Sequence, residues 1–539
     1  MYPHGVAAGD VYAAACREEQ LRMPGMIAKR VARFSRCGLA AALVVGLMAA
    51  GARGESLKAK VTNALAAARL GTAHVGVSIL DCSTGQELVT LSSGAAKTGT
   101  SEGFIPASNL KLLTSGAAFM VLGKDFEFQT KVIADGDRLI VVGAGDPAFA
   151  EPVLLDQMHM GVDQFVDKLV EAVRGANLPG FKEVIVDDRI FDRQYVHPDW
   201  PKEQLTRSYC AEVSGLNFHA NVLSVYVSPG SGANSDAVAR TEPSGSWITL
   251  RKQARTVKEG NTEVWVEREA GGATGDPFCF KLHGSVRSTL TEPVQVTVDQ
   301  PGLMFAKVLA DRATKGGLSA NGSAITGRLV SGDETLTTEG STQRVLTVVR
   351  TPIAVALERC NVDSENLYAE SFCKLLGNKV TGQPGTWASG TAVVRMQIKD
   401  KVGAEAAAQL VLADGSGLSR NNRITPGVMT RWLRVLSEAP DGDVFVKSLA
   451  LAGAEGTLKK RFKGVKLHNE VRAKSGYIRG VRTLSGYVTD AAGKRVAFSV
   501  LVDNVPGDGD ARAKEFHEAV VEAVDQYMFE RSRVAGAER

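Results

Sequence analysis

Metal and redox signatures are missing from this 539-residue chain. Its seven cysteines include no C-x-x-C pair, and its eight histidines include no H-x-x-x-H or H-E-x-x-H. That excludes a zinc or dithiol centre of the usual spacing, and each histidine reads as structural. A long apolar run is missing too. The best stretch, Cys37 to Ala50, falls short of the roughly 20 residues that a spanning helix needs. There is no low-complexity segment and no internal repeat. Nor does one sign of charge dominate. The formal net charge is +4, but residues 1–54 hold seven Lys/Arg against three Asp/Glu. Beyond them acids and bases balance, which argues against a nucleic-acid partner.

The basic residues Lys29, Arg30, Arg33 and Arg36 precede that apolar run, and Ala52-Arg53-Gly54 follows it. This is the pattern of an export signal with cleavage before Glu55. The alternative is an uncleaved N-terminal anchor. Cys37 precedes the apolar run, so it is not a lipoprotein acceptor, and Met26 would be a more usual start than Met1. Of the cysteines, Cys82, Cys210, Cys279, Cys360 and Cys373 follow the signal. An odd set leaves at least one free thiol.

One stretch, "AAKTGTSEGFIPASNLKLLTS" (Ala95–Ser115), carries three catalytic patterns. Lys97-Thr98-Gly99 is K-T-G. Gly99 to Gly103 is G-x-S-x-G around Ser101. Ser108 to Lys111 is S-x-x-K. A nucleophile elbow needs a strand running into its serine and a helix leaving it, and Ser101 has neither. Lys97 sits in a small-residue loop, whereas K-T-G works from a strand bordering a cleft. Lys474-Ser475-Gly476, ending the alternating stretch "EVRAKSG", has that setting. Ser108 is predicted at a helix start with Lys111 one turn on, on the same face. There an amine kept neutral by burial can take the serine proton, and free helix N–H groups stand near for an oxyanion. Ser371 to Lys374 also matches S-x-x-K but reads as mid-helix. For an S-x-N element, Ser364-Glu365-Asn366 lies in a break between two helices. Ser319-Ala320-Asn321 and Ser419-Arg420-Asn421 are rivals.

Periodicity predicts strands over His74–Asp81 and Glu87–Ser92, joined by a turn, and a helix over Asn109–Leu122. From about Phe126 to Arg344 many short strands, punctuated by Gly, Pro, Asp and Ser, predict one or two β-rich domains. After about Val345, "TPIAVALER", "SENLYAESFCKLLG" and "TPGVMTRWLRVLSEA" have helical spacing. Three strands and an amphipathic terminal helix bearing Ala513, Phe516, Val520 and Val524 follow. A sheet assembled from both chain ends around an insertion is the natural assembly.

Here the sequence becomes recognisable. "IPASNLKLLTSGAAFMVLG", "VVGAGDPAF", "IVDDRIFD", "CNVDSENLYAESFCKLLG", "DGSGLSRNNRITP", "LALAGAEGTLKKRF" and "EVRAKSGYIRGVRTLSGYV" resemble segments of one family. It is the D-alanyl-D-alanine carboxypeptidase/endopeptidase family, the class C low-molecular-mass penicillin-binding proteins. The resemblance spans about Leu57 to Met528 and keeps the order S-x-x-K, S-x-N, K-[ST]-G, with the family's long gap between the first two. It implies a multi-domain α+β protein: a transpeptidase/β-lactamase-like α/β sandwich domain with two inserted β-rich domains. The expected parts are 1–54 (extension and signal), 55–128 (first part of the transpeptidase-like domain), 129–345 (insertions) and 346–539 (second part).

The resemblance implies Ser108 as acylated nucleophile, Lys111 as its base, Ser364 as proton relay and Asn366 as holder of the substrate amide. Lys474 and Ser475 would bind the terminal carboxylate. The N–H groups of Ser108 and Tyr477, the latter following Gly476, would form the oxyanion hole. The segment Asp414–Arg420 is assigned no chemical role. Peptidoglycan stem peptides and β-lactam antibiotics are the expected partners, with peripheral membrane contact, no metal and no cofactor. A β-lactamase or esterase on the same fold is the alternative, as is a wall-binding protein with a vestigial site. Three positions depart from the family pattern. Glu365 replaces the usual Asp, Ser475 the usual Thr, and Tyr477 a small hydroxyl residue. The Tyr477 ring is expected to narrow the cleft and to bear on substrate preference.

Overall fold

The computed structural model describes residues 55–93, 103–269, 277–336 and 343–537. The export signal, the K-T-G at Lys97 and Ser101 lie outside them.

A six-stranded sheet joins the two ends of the chain. Its order is Ala450–Leu451, Glu470–Ile478, Val481–Thr489, Arg495–Asp503, His74–Asp81 and Glu87–Ser93, antiparallel throughout. His74 pairs with Asp503 and Asp81 with Val496, so an early strand is zipped against one more than 400 residues later. Every residue of His74–Asp81 is buried, because helices cover both faces. On one face Val75, Val77, Ile79, Val500 and Val502 pack with Val61 of the Leu57–Ala68 helix and with Phe516, Val520 and Val524 of the Asp510–Ala537 helix. On the other, Leu80, Ala497, Leu501 and Tyr487 meet the helices Leu110–Leu122 and Pro426–Glu438 through Leu113, Trp432 and Leu433. The expected two-ended sheet is what forms.

The insertion opens and closes on one pair of strands. Glu127–Asp135 and Arg344–Pro352 run antiparallel, Glu127 opposite Pro352. They border a five-stranded sheet that continues through Arg138–Val142, Glu183–Asp187 and Thr326–Leu329. The last three strands are mutually parallel, and parallel neighbours need crossovers. Those crossovers supply the helices Val162–Arg174 and Pro301–Lys315, which the strand-rich sequence pattern hid. Val162, Phe165, Val166, Leu169, Val170 and Val173 form the buried stripe of the first. Smaller β-structure fills the rest, a three-stranded sheet around Val222–Ser228 and a four-stranded one around Cys279–Val286.

The helices Ile353–Asn361 and Asn366–Thr381 follow, as the spacing predicts, and then Trp387–Lys401, which the sequence reading missed. The five cysteines from Cys82 to Cys373 are buried and unpaired. Among the described residues no helix is long and apolar enough to cross a membrane. Among them, too, no cluster of His, Cys, Asp and Glu is arranged to hold a metal.

Candidate active site

The chain enters the Leu110–Leu122 helix through a 3-10 turn, Ala107–Asn109, with Ala107 at φ 44°. That turn is stitched to the sheet. Asn109 Nδ2 donates to the Lys474 carbonyl (2.7 Å), and Asn109 Oδ1 accepts from Ser485 Oγ (2.6 Å). Thr483 Oγ1 donates to the Pro106 carbonyl (2.9 Å). Gly476 permits the close approach: a Cβ there would stand 2.1 Å from Thr483 Oγ1 and 3.0 Å from Ser108 N.

Lys111 lies one turn on from Ser108, at the second position of the Leu110–Leu122 helix, and is wholly buried. Its Nζ bonds Asn366 Oδ1 (2.6 Å), the Ser416 carbonyl (3.1 Å) and Ser108 Oγ (3.1 Å). The first two partners act only as acceptors. On a neutral amine they take both hydrogens and leave the lone pair facing the serine. Burial drives the ammonium below its ordinary range, against the pull of Glu370, Asp414 and Glu365.

Ser364 lies in the short turn between two helices, where it adopts φ 69°, and Asn366 opens the second of them. Asn366 Nδ2 donates to the Tyr209 carbonyl of the insertion (2.8 Å). Ser108, Ser364, Asn366, Tyr209, Gly417 and Tyr477 all line one cavity of about 870 Å³. Lys474 and Ser475 are not on its wall. Lys474 is buried behind it, with Nζ on the Ser475 carbonyl (2.8 Å), and Ser475 Oγ turns to Thr457 Oγ1 (2.9 Å). Burial, and then the Lys111 charge, push Lys474 well below the usual lysine range. Tyr477 is half-exposed on the wall. Arg482 stacks 3.6 Å from its ring centroid and is itself held by Asp510 (3.0 and 2.6 Å). The ring is thus pinned rather than free to swing.

The segment Asp414–Arg420, to which the sequence assigned no role, supplies a partner of the lysine. Asp414 accepts from the N–H groups of Gly417 (2.9 Å) and Ser419 (2.6 Å). Glu370 accepts from those of Gly415 and Ser416, both at 2.8 Å. Two buried carboxylates therefore shape the loop that aims the Ser416 carbonyl at Lys111. Burial, with Asp414 close by, pushes the Glu370 carboxyl up. The run "DGSG" marks a turn, but nothing in the sequence singles out Glu370 within its helix.

The rival motifs fall elsewhere. Ser371 is buried mid-helix against Asn217 Nδ2 (3.3 Å), and Lys374 pairs with Asp192 (2.6 Å) beneath the Trp387 ring. Asn321 lies in a 3-10 turn of the insertion. Ser419 and Asn421 bind Asp199.

Fold and geometry together define a class: an α/β domain split by a long insertion, with a serine and a buried lysine in hydrogen-bond contact. The chain belongs to the D-Ala-D-Ala carboxypeptidase 3 (S13) family, whose model matches residues 57–527. It is 30% identical over 475 residues to the D-alanyl-D-alanine carboxypeptidase of Actinomadura sp. strain R39, covering 84% of this chain and 82% of that one. It is 22% identical over 433 residues to the D-alanyl-D-alanine carboxypeptidase DacB of Haemophilus influenzae, covering 76% and 83%. The crystal structure of penicillin binding protein 4 (dacB) from Haemophilus influenzae shares the fold. Its TM-score is 0.67 at 19% identity, over 86% of this chain and 99% of that one.

Proposed function

We propose that this chain is a serine-type D-Ala-D-Ala carboxypeptidase/endopeptidase acting on peptidoglycan stem peptides through an acyl-serine intermediate. One observation carries the reading: Lys111 is buried, and its Nζ is 3.1 Å from Ser108 Oγ while two fixed acceptors occupy its other bonds. Neutral Lys111 takes the Ser108 proton as Oγ attacks the carbonyl before the terminal D-Ala. The N–H groups of Ser108 and Tyr477 bind the oxyanion. Asn366 holds the substrate amide. The carboxylate-binding role that the resemblance gives Lys474 and Ser475 requires both side chains to turn toward the cavity, since here Lys474 Nζ bonds the Ser475 carbonyl and Ser475 Oγ bonds Thr457 Oγ1. Lys111 returns the proton through the Ser364 hydroxyl to the departing nitrogen, and D-Ala leaves as the C–N bond breaks. Water then attacks the acyl carbon and gives its proton to Lys111; the C–Oγ bond breaks, the peptide leaves, and Lys111 returns the proton to Ser108 Oγ. β-Lactams would acylate the same oxygen. No step in this sequence calls on a metal or cofactor.

We further infer export to the cell-wall space, periplasmic where there is one, with only peripheral membrane contact. We divide the chain near residues 128 and 346, where the strands Glu127–Asp135 and Arg344–Pro352 enter and leave the insertion.

Intact mass spectrometry after exposure to penicillin tests the assignment. The wild type gains a lasting adduct on Ser108 and releases D-Ala from a D-Ala-D-Ala peptide. Ser108→Ala does neither while remaining folded. Rapid turnover of penicillin would mean a β-lactamase, no label would mean a wall-binding protein, and an adduct on Ser101 or Ser371 would overturn the site.

A further inference from the structure

The turn that carries Ser364 is gripped by groups outside all three motifs. Arg359, in the last turn of the preceding helix, is buried. Its guanidinium bonds Glu151 Oε1 at 2.8 Å, pairs with Asp363, and lies 3.9 Å from Glu365 Oε1. Its carbonyl accepts from Glu365 N (3.2 Å). One arginine thus spans both neighbours of Ser364. Glu151 comes from the insertion, where its Oε2 caps the helix Pro152–Gln157 through Leu154 N (3.0 Å). The loop before it is braced by buried Asp146, which accepts from Ala148 N (2.9 Å) and Thr351 Oγ1 (2.6 Å). On the other side of the turn, the Tyr209 carbonyl holds Asn366. Ser364 at φ 69° occupies a conformation that a residue with a Cβ keeps only where its surroundings over-determine it.

We propose that Glu151 and Arg359 are positioning residues for amide cleavage: from the inserted segment they hold the Ser364 hydroxyl where it can hand a proton to the leaving nitrogen. The inference rests on the relay role given to Ser364 above. It makes the insertion part of the catalytic apparatus rather than an appended module. The chemistry gives it a signature. An amide nitrogen leaves only once protonated, whereas a thioester departs as a thiolate, whose conjugate acid titrates near about 8.5, without a proton. A misplaced Ser364 therefore harms one substrate and spares the other.

The test compares kcat/KM, which reports acylation, on a peptide ending in D-Ala-D-Ala and on a thioester with the same acyl group. The proteins are the wild type, Glu151→Gln, Arg359→Lys and Ser364→Ala. Glu151→Gln and Arg359→Lys should each lose on the order of ten- to a hundredfold on the peptide. On the thioester they should stay within about threefold of wild type. The thioester also controls for folding, since loss of folded protein lowers both rates equally. Equal losses on both substrates, or none on either, would overturn the proposal. A selective loss in Ser364→Ala without one in Glu151→Gln sinks this inference alone. No selective loss in Ser364→Ala sinks the relay reading beneath it.

Discussion

Gly417→Ala is the sharpest probe of how the site is held together. Gly417 sits at φ 88° in the loop that presents the Ser416 carbonyl to Lys111. An added Cβ would stand 1.8 Å from the Ala107 carbonyl oxygen, one residue before the nucleophile. Carbon–oxygen contacts settle at about 3.3–3.6 Å, so one segment must retreat by roughly 1.5 Å. Retreat of Ala107 pulls Ser108 from Lys111, and retreat of the loop takes the Ser416 acceptor with it. A displacement on the order of 1 Å costs about a hundredfold in rate, or about 2.7 kcal/mol of transition-state stabilisation. The φ strain adds roughly 1–3 kcal/mol to the cost in stability. Gly493→Ala separates the two effects. Gly493 has φ 78° with nothing within 4 Å of a Cβ, so it bears the strain without the collision. The assay is the acylation rate with a fluorescent penicillin, alongside thermal melting. Gly417→Ala should acylate on the order of a hundredfold slower, and Gly493→Ala at the wild-type rate, with both proteins folded at assay temperature. Gly417→Ala within threefold of wild type, or an equal loss in Gly493→Ala, would refute the reasoning.

Further outcomes follow from the buried lysines. Lys111 is depressed below the ordinary 10.5 by burial, so the acidic limb of kcat/KM should lie below that of a normal lysine, with activity rising as pH climbs through it. The same shift makes stability rise with pH between that depressed value and 10.5, because the unfolded chain binds the proton more tightly there. Burial and then the Lys111 charge drive the proton off Lys474, so Lys474→Gln should leave the limb in place; a pH–rate profile in which the limb rises would mean that Lys474 keeps a charge that bears on Lys111. At the rival motif, Ser371→Ala should leave the acylation rate within about twofold, while Lys374→Met, which strands Asp192, should cost on the order of 3 kcal/mol in denaturant unfolding. Loss of acylation in Ser371→Ala would mean that the wrong serine has been chosen.

Local pattern settled much of this protein. The strands at His74 and Glu87, the helix from Leu110, the three late strands and the terminal helix all have period 2 or 3.6 and form where those periods put them. Ser108 and Lys111 are one turn apart on any helix, so their contact was legible before any fold was known. The same is true of Ser371 and Lys374, and that is why the motif alone could not choose. Both lysines are buried, and their bonding partners chose: Lys374 found a carboxylate, whereas Lys111 bonds only neutral acceptors and the serine. The helices Val162–Arg174 and Pro301–Lys315 were masked by the strands around them, since a parallel crossover has no local mark of its own. What only the tertiary structure decided is long-range. Glu370 is an ordinary helical acid until the loop at Gly415 folds onto it. Glu151 and Arg359 lie 208 residues apart and mean nothing to each other in sequence. Lys474 is a strand lysine like any other until the sheet closes both chain ends around it and buries its charge beside that of Lys111. Spacing along a chain specifies which side chains share a face, but the field at a buried amine is summed over every charge within several ångströms, whatever its place in the sequence.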